Sequence, residues 1–172
     1  MEYNLPSELV KDLNFGKEAE NRVIAGVNKL AKAVKSTLGA SGKCVIYEDG
    51  RGKPVITKDG VTVAESVVLF DPVENMGATL VKEAARNTVK EAGDGTTTAT
   101  VLVEALINSI RLAVAAGVSI REIKDGVNQC LTEVMEYLDS NAIEVEGDML
   151  GAVAAISCNN DKELGAIIAE AY

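Results

Sequence analysis

Four long stretches of this chain repeat their apolar residues at intervals of mainly three and four, a period that one face of an α-helix satisfies and a strand does not. Over residues 15–38 the repeating set is Ala19, Val23, Val27, Leu30, Ala31, Val34 and Leu38, closed by Gly39. The second stretch opens at Asp71-Pro72-Val73-Glu74, an acceptor at the N-cap, Pro at the first helical position and an acid at the third. It carries Val73, Met76, Leu80, Val81, Ala84, Ala85 and Val89 on one face and is predicted to run to about Glu91. Residues 96–116 form the third, apolar around most of its circumference and so expected at the centre of the fold, with Gly117 as terminator. Ser119-Ile120-Arg121-Glu122 reads as a capping box opening the fourth, with Ile123, Val127, Cys130, Leu131, Val134 and Leu138 predicted inward. Helices of these lengths with short connections predict a mainly α fold, an antiparallel bundle.

One β element interrupts the pattern. Lys43-Cys44-Val45-Ile46-Tyr47 and Pro54-Val55-Ile56-Thr57 flank a polar, glycine-rich turn, predicting a small hairpin. Residues 61–65 fit strand or helix equally by pattern. The acidic stretch 139–148 reads as a boundary, dividing the chain into 1–141 and 142–172, with two shorter helical stretches at 149–156 and 162–171. The chain ends inside an apolar helical pattern, which reads as truncation.

Composition narrows the chemistry. With aromatics at 3% and no Trp, the core must be filled by small aliphatic side chains. A net charge of −9 disfavours nucleic acid as a partner. No apolar run is expected to reach the roughly 20 residues that cross a bilayer, and Met1-Glu2-Tyr3-Asn4 lacks the regions of a signal peptide, so no membrane partner and a cytoplasmic location are expected. Cys44, Cys130 and Cys158 are scattered and odd in number, predicting buried thiols rather than disulfides or a zinc site. The absence of His excludes Ser-His-Asp catalysis and His-ligated metals. What remains is carboxylates, Lys, hydroxyls, backbone amides and a hard cation.

Three segments fit that inventory. Gly93-Asp94-Gly95-Thr96-Thr97-Thr98 stands at the start of the third long helix, where unpaired amides and the positive end of the helix dipole suit phosphate oxygens. Asp94 would repel phosphate unless a cation lay between them, and Mg²⁺ binds in that manner, through one or two carboxylates plus phosphates. Alone, such a string is more often a turn with an N-cap threonine. Thr37-Leu38-Gly39-Ala40-Ser41-Gly42-Lys43 fails the Walker A pattern, because two residues separate Gly39 from Gly42 and Cys44 follows the Lys. Thr57-Lys58-Asp59-Gly60 offers Asp59 to align a water or complete a cation site, although Asp-Gly after a strand is commonly a turn.

Taken in order, Thr37-Leu38-Gly39, Ile56-Thr57-Lys58-Asp59-Gly60-Val61, Glu74-Asn75-Met76-Gly77-Ala78, residues 92–102 and Ala113-Val114-Ala115-Ala116-Gly117 closely resemble the amino-terminal region of group I (GroEL-type) chaperonins. Ala155-Ile156-Ser157-Cys158-Asn159-Asn160-Asp161 resembles the entry to that family's intermediate domain. The resemblance implies an equatorial ATP-binding part over 1–141 and the beginning of an intermediate domain over 142–172. It implies ATP held by Thr37, Leu38, Gly39, Lys58, Gly95, Thr96, Thr97 and Thr98, Mg²⁺ on Asp94, and K⁺ as a further candidate. Asp59 is implied to position the attacking water. Ala40 stands where the family usually has Pro, a departure that makes that loop less rigid.

The resemblance further implies a ring homo-oligomer that assists protein folding by ATP-driven cycles, with unfolded clients and a co-chaperonin as partners. Full subunits are several times longer; the apical domain, a second catalytic carboxylate and the closing half of the pocket lie outside this sequence. The chain by itself is therefore expected to bind Mg-nucleotide weakly. The alternative is a structural or oligomerisation fragment that associates through apolar faces.

Overall fold

The computed structural model describes residues 12–39, 41–158 and 160–172. Its architecture is mainly helical with one antiparallel hairpin, as the periodicities predict. The chain divides into two compact units, one ending at Ser119 and one over Ile120–Tyr172. The acidic stretch at 139–148 thus lies inside the second unit, twenty residues beyond the point where compactness divides the chain.

The first unit holds α1 (Gly16–Lys35), β1 (Val45–Glu48), β2 (Pro54–Thr57), α2 (Gly60–Ser66), α3 (Pro72–Ala92) and α4 (Thr96–Ala115). Residues 61–65, ambiguous by pattern, fall in α2. The decision is local: the Asp59 carboxylate accepts from the amides of Val61 and Thr62 and from the Thr62 hydroxyl, closing an N-cap. Asp71 caps α3 in the same way through Val73 and Glu74, with Pro72 in the first turn. α1 ends at Lys35, a turn earlier than predicted, so Leu38 lies outside the helix and is exposed.

The core is one cluster of Val27, Leu30 and Val34 from α1, Val63 and Ala64 from α2, and Ala78 and Val81 from α3, flanked by Val103 and Ile107 of α4. α1 and α3 cross at glycines. A Cβ on Gly26 would stand 1.7 Å from the Glu74 carbonyl oxygen, and one on Gly77 2.0 Å from that of Val23. Each helix thus lays bare backbone against the other, the closest approach two helices can make.

The hairpin pairs Val45 with Thr57 and Glu48 with Pro54, and its turn is closed by Asp49, which accepts from the amides of Arg51 and Lys53. Thr57 is therefore delivered to the first unit at the end of β2, immediately before Lys58 and Asp59.

Three expectations are corrected. α4 is not the enclosed centre of the bundle: its buried residues are Thr96 and Thr100, while Leu102, Leu106 and Leu112 are exposed. It is also long and apolar enough to cross a membrane by length and composition, contrary to the reading that no segment is. Here it lies along a core, tied to α1 by the Asn108–Asn28 and Arg111–Asn21 hydrogen bonds and a Lys35–Glu104 ion pair. Cys44 and Cys130 are exposed and Cys158 half-buried, so the thiols are not core residues.

The second unit contains α5 (Ile120–Asn141), α6 (Met149–Ser157) and α7 (Lys162–Ala171). α6 and α7 pack closely, with Gly165 against the Ala155 backbone, and Asp161 caps α7 through the Leu164 amide. No residue of α5 is buried: of the face predicted inward, Ile123 and Val127 are half-buried and Cys130, Leu131, Val134 and Leu138 are exposed. Periodicity identifies an apolar face but not what covers it. Asn159, within the segment that resembles an intermediate-domain entry, lies outside the described residues.

Candidate site at the start of helix α4

Three chain segments converge. A Cβ placed on Gly60 would lie 2.2 Å from Thr97 Oγ1 and 3.5 Å from Thr37 Oγ1, so the hydroxyls of Thr37 and Thr97 both face the bare first residue of α2. The loop after α1, the step from β2 into α2 and the first turn of α4 therefore share one small region. Gly60 is the residue that lets them meet, because any side chain there would displace the Thr97 hydroxyl. Sequence reading treats it as the second half of an Asp-Gly turn; in the structure the Asp59 carboxylate accepts from the amides of Val61 and Thr62, which makes the pair an N-cap.

The α3–α4 connection is built for an open helix start. Gly93 and Gly95 adopt left-handed conformations, φ 76° and 88°, which turn the chain between two helices in three residues. Gly95 is the N-cap and supplies no side chain, and the amides of Thr96, Thr97 and Thr98 have no partner among the described residues. Asp94 is exposed, with its Oδ1 accepting the Gly95 amide at 2.6 Å. The three threonines are not equivalent: Thr96 is buried, Thr97 half-buried and Thr98 exposed. The hydroxyls open to a ligand here are thus those of Thr97 and Thr98.

Asp59 occupies the adjoining corner. Burial pushes its carboxyl up, but the Thr62 hydroxyl and the amides of Thr62 and Val61 outweigh that and hold it below its ordinary 3.8. Three of its roughly four acceptor positions are used, two on Oδ2 and one on Oδ1, leaving Oδ1 able to accept one more donor.

The remaining predicted residues lie around this centre. Thr37 Oγ1 donates to the Val34 carbonyl, and Gly39 takes φ 74°, releasing the chain from α1. Leu38, Gly39 and Lys58 are exposed, and among the described residues no hydrogen bond joins them to Asp94 or the threonines. Ala40 lies outside the described residues; around it the Gly42 amide donates to the Gly39 carbonyl at 2.9 Å and the Lys43 amide to that of Ser36 at 2.7 Å.

No group of three or more Asp, Glu or Cys side chains among the described residues could hold a metal ion. A cation beside Asp94 would need most of its ligands from elsewhere, which is the coordination that suits Mg²⁺ shared with phosphates. Two cavities are found, one in the second unit and one bordering the residues that Asp59 caps. One of about 440 Å³ is lined by Ala155, Ile156 and Ala166 between α6 and α7, and one of about 500 Å³ lies between the hairpin turn and Val61, Thr62 and Glu65 of α2. Neither cavity is enclosed around the start of α4.

The sequence profile of the TCP-1/cpn60 chaperonin family matches residues 30–172. Among solved structures, the chaperonin gp146 of a Pseudomonas aeruginosa bacteriophage, EL 2, crystallised in the presence of ATP-BeFx, is similar at 31% identity and a TM-score of 0.78, over 91% of this chain and 28% of that one. A group III chaperonin in its open state is similar at 31% identity and a TM-score of 0.76, over 89% of this chain and 31% of that one. This sequence thus spans about a third or less of the chaperonin chains it matches.

Proposed function

The chain belongs to the TCP-1/cpn60 chaperonin family, and from that premise we propose that its first unit is an ATP-binding element whose phosphate cradle is the start of α4. The phage and group III relatives stand at the same identity, so the family is assigned as a whole and membership of group I belongs to the proposal. The observation that carries the reading is the meeting of Thr37, Gly60 and Thr97 beside an uncapped helix start.

In this reading the amides of Thr96, Thr97 and Thr98 and the hydroxyls of Thr97 and Thr98 hold phosphate oxygens, with Gly95 allowing close approach. Asp94 holds Mg²⁺, which neutralises phosphate charge when bound. Leu38, Gly39 and Lys58 border the nucleotide, with K⁺ as a further candidate there. Asp59, kept ionised by its three donors, orients a water through the acceptor position left on Oδ1. A carboxylate held below its ordinary range is a weak base, so its part is positioning more than proton removal.

The proposal for the whole protein is a ring homo-oligomer that assists folding of unfolded clients through ATP-driven cycles with a co-chaperonin, in the cytoplasm. Residues 1–141 would be the amino-terminal part of its equatorial domain and 142–172 the beginning of its intermediate domain. The phage chaperonin crystallised with ATP-BeFx supports the nucleotide assignment by family. Calorimetric titration of this chain with ATP, with and without Mg²⁺, tests it: weak, Mg²⁺-dependent binding without steady turnover is expected. Absence of binding overturns the nucleotide reading, and tight binding with steady hydrolysis overturns the restriction to a partial site.

The exposed apolar faces of α4 and α5 favour a second role, self-association. It is independent of nucleotide and is tested by light scattering, as argued below.

A further inference from the structure

α2 is only seven residues long, too short to hold its own shape in water, so its placement must come from outside the helix. At its start Asp59 supplies the cap. At its other end stands Lys82, a lysine of α3 with only 9% of its surface exposed. Its ammonium donates to the carbonyl of Glu65 at 3.2 Å and to that of Val67 at 2.6 Å, two of the carbonyls that a helix end leaves without intrahelical partners. One turn further along α3, Arg86 grips the Glu65 carboxylate through Nε at 2.6 Å and a terminal nitrogen at 2.5 Å. The same α3 runs to Ala92, where Gly93 caps it and Asp94 follows in the turn.

We propose that Lys82 is a positioning residue for the phosphate site: from α3 it clamps the carboxyl end of α2, and so holds Gly60 against Thr97 of α4, with Asp59 fixed as the cap of that same helix. Burying an ammonium is unfavourable unless it is hydrogen-bonded, and here it is spent on two backbone carbonyls rather than on a surface ion pair. α3 thereby fixes both carboxylates of the site relative to one rod, Asp59 through the clamp on α2 and Asp94 through the turn at its own end. Val63 and Ala64 pack α2 sideways on the core, but nonpolar contacts do not set its slide along its axis as directional hydrogen bonds do. The inference rests on the nucleotide reading for its consequence, though not for the clamp itself.

The test uses Lys82→Met, which keeps the buried stem and removes the three donors, with Arg86→Gln as a milder variant on an exposed position. Hydrogen exchange is followed amide by amide. In Lys82→Met the amides of Val63, Ala64 and Val67 are expected to exchange at least tenfold faster, while those around Leu30 and Val34 keep their rates, which also shows that the variant is folded. Arg86→Gln should show the same pattern in smaller degree. Mg-ATP affinity should fall in Lys82→Met by about tenfold at unchanged core protection. Unchanged α2 exchange in both variants overturns the clamp. Loosened α2 with unchanged Mg-ATP affinity overturns its role at the site. Failure of the unsubstituted chain to bind Mg-ATP sinks the nucleotide reading alone, and the exchange data still decide the clamp.

Discussion

Gly60 has the tightest demand of any residue at the site. Gly60→Ala would force a methyl to within 2.2 Å of the Thr97 hydroxyl, so α2 or the α4 start must shift. Overpacking of this kind costs roughly 1–3 kcal/mol. The expected outcome is a loss of that order in denaturant unfolding together with weakened Mg-ATP binding; unchanged values for both would contradict the described meeting of the three segments. This residue also marks where the sequence was hard to read. The Lys58-Asp59-Gly60 string is visible at once, but that its glycine faces a hydroxyl 37 residues later depends on tertiary packing that no local pattern encodes.

Acid sensitivity follows from other single residues. Asp71 is held below its ordinary 3.8 by the Glu74 amide and then by Arg22, and Glu65 below its ordinary 4.5 by Arg86. Because the native state prefers these groups ionised, the stability they contribute is fully present above their ordinary values. It is lost as pH falls through those values towards the lower native ones. Denaturation midpoints should therefore be insensitive to these groups between about pH 7 and pH 5.5 and fall by pH 3. Asp71→Asn should flatten part of that fall. The Glu65–Arg86 pair is exposed and the Asp71–Arg22 pair half-buried, so the effect is modest and salt-dependent.

Among the elements, α1 and α3 are the most legible: both carry an amphipathic period over twenty residues or more, and in α3 the Asp71 cap and Pro72 agree with it. Their crossing is not. Gly26 and Gly77 look like helix-weakening residues until each is seen against the partner's carbonyl. Gly77→Ala is expected to destabilise the first unit by about 3 kcal/mol or more, since backbone cannot yield as a flexible side chain can. A thermal midpoint unchanged from that of the parent would refute the crossing as described. α5 shows the opposite failure. Its period is plain in the sequence and its burial is not, because an apolar stripe states a need for cover without naming the cover. For α4 and its turn, the glycines mark an uncapped helix start that the sequence shows and the structure contains, while its phosphate chemistry belongs to the proposal. The burial of Thr96, which withdraws one hydroxyl from that start, is not legible in the sequence.

For the molecule as a whole, the exposed apolar residues of α5, such as Leu131, Val134 and Leu138, together with Leu102 and Leu106 of α4, make self-association the expected behaviour at raised concentration. Light scattering coupled to size exclusion should show mass rising with concentration whether or not ATP is present, and Leu131→Glu should lower it. A strictly monomeric chain at all concentrations would contradict this. The net charge of −9 opposes association at low salt, so the effect should strengthen as salt screens it.

The central claim is that the first turn of α4 cradles phosphates with Asp94 as the cation's protein ligand. It is tested most directly by a crystal structure of this chain with a non-hydrolysable ATP analogue and Mg²⁺, alongside the Asp94→Ala variant under the same conditions. The account predicts phosphate oxygens on the amides of Thr96, Thr97 and Thr98, a cation between phosphate and the Asp94 carboxylate, and no nucleotide in the variant. A nucleotide seated elsewhere, or bound equally without the Asp94 carboxylate, would contradict it.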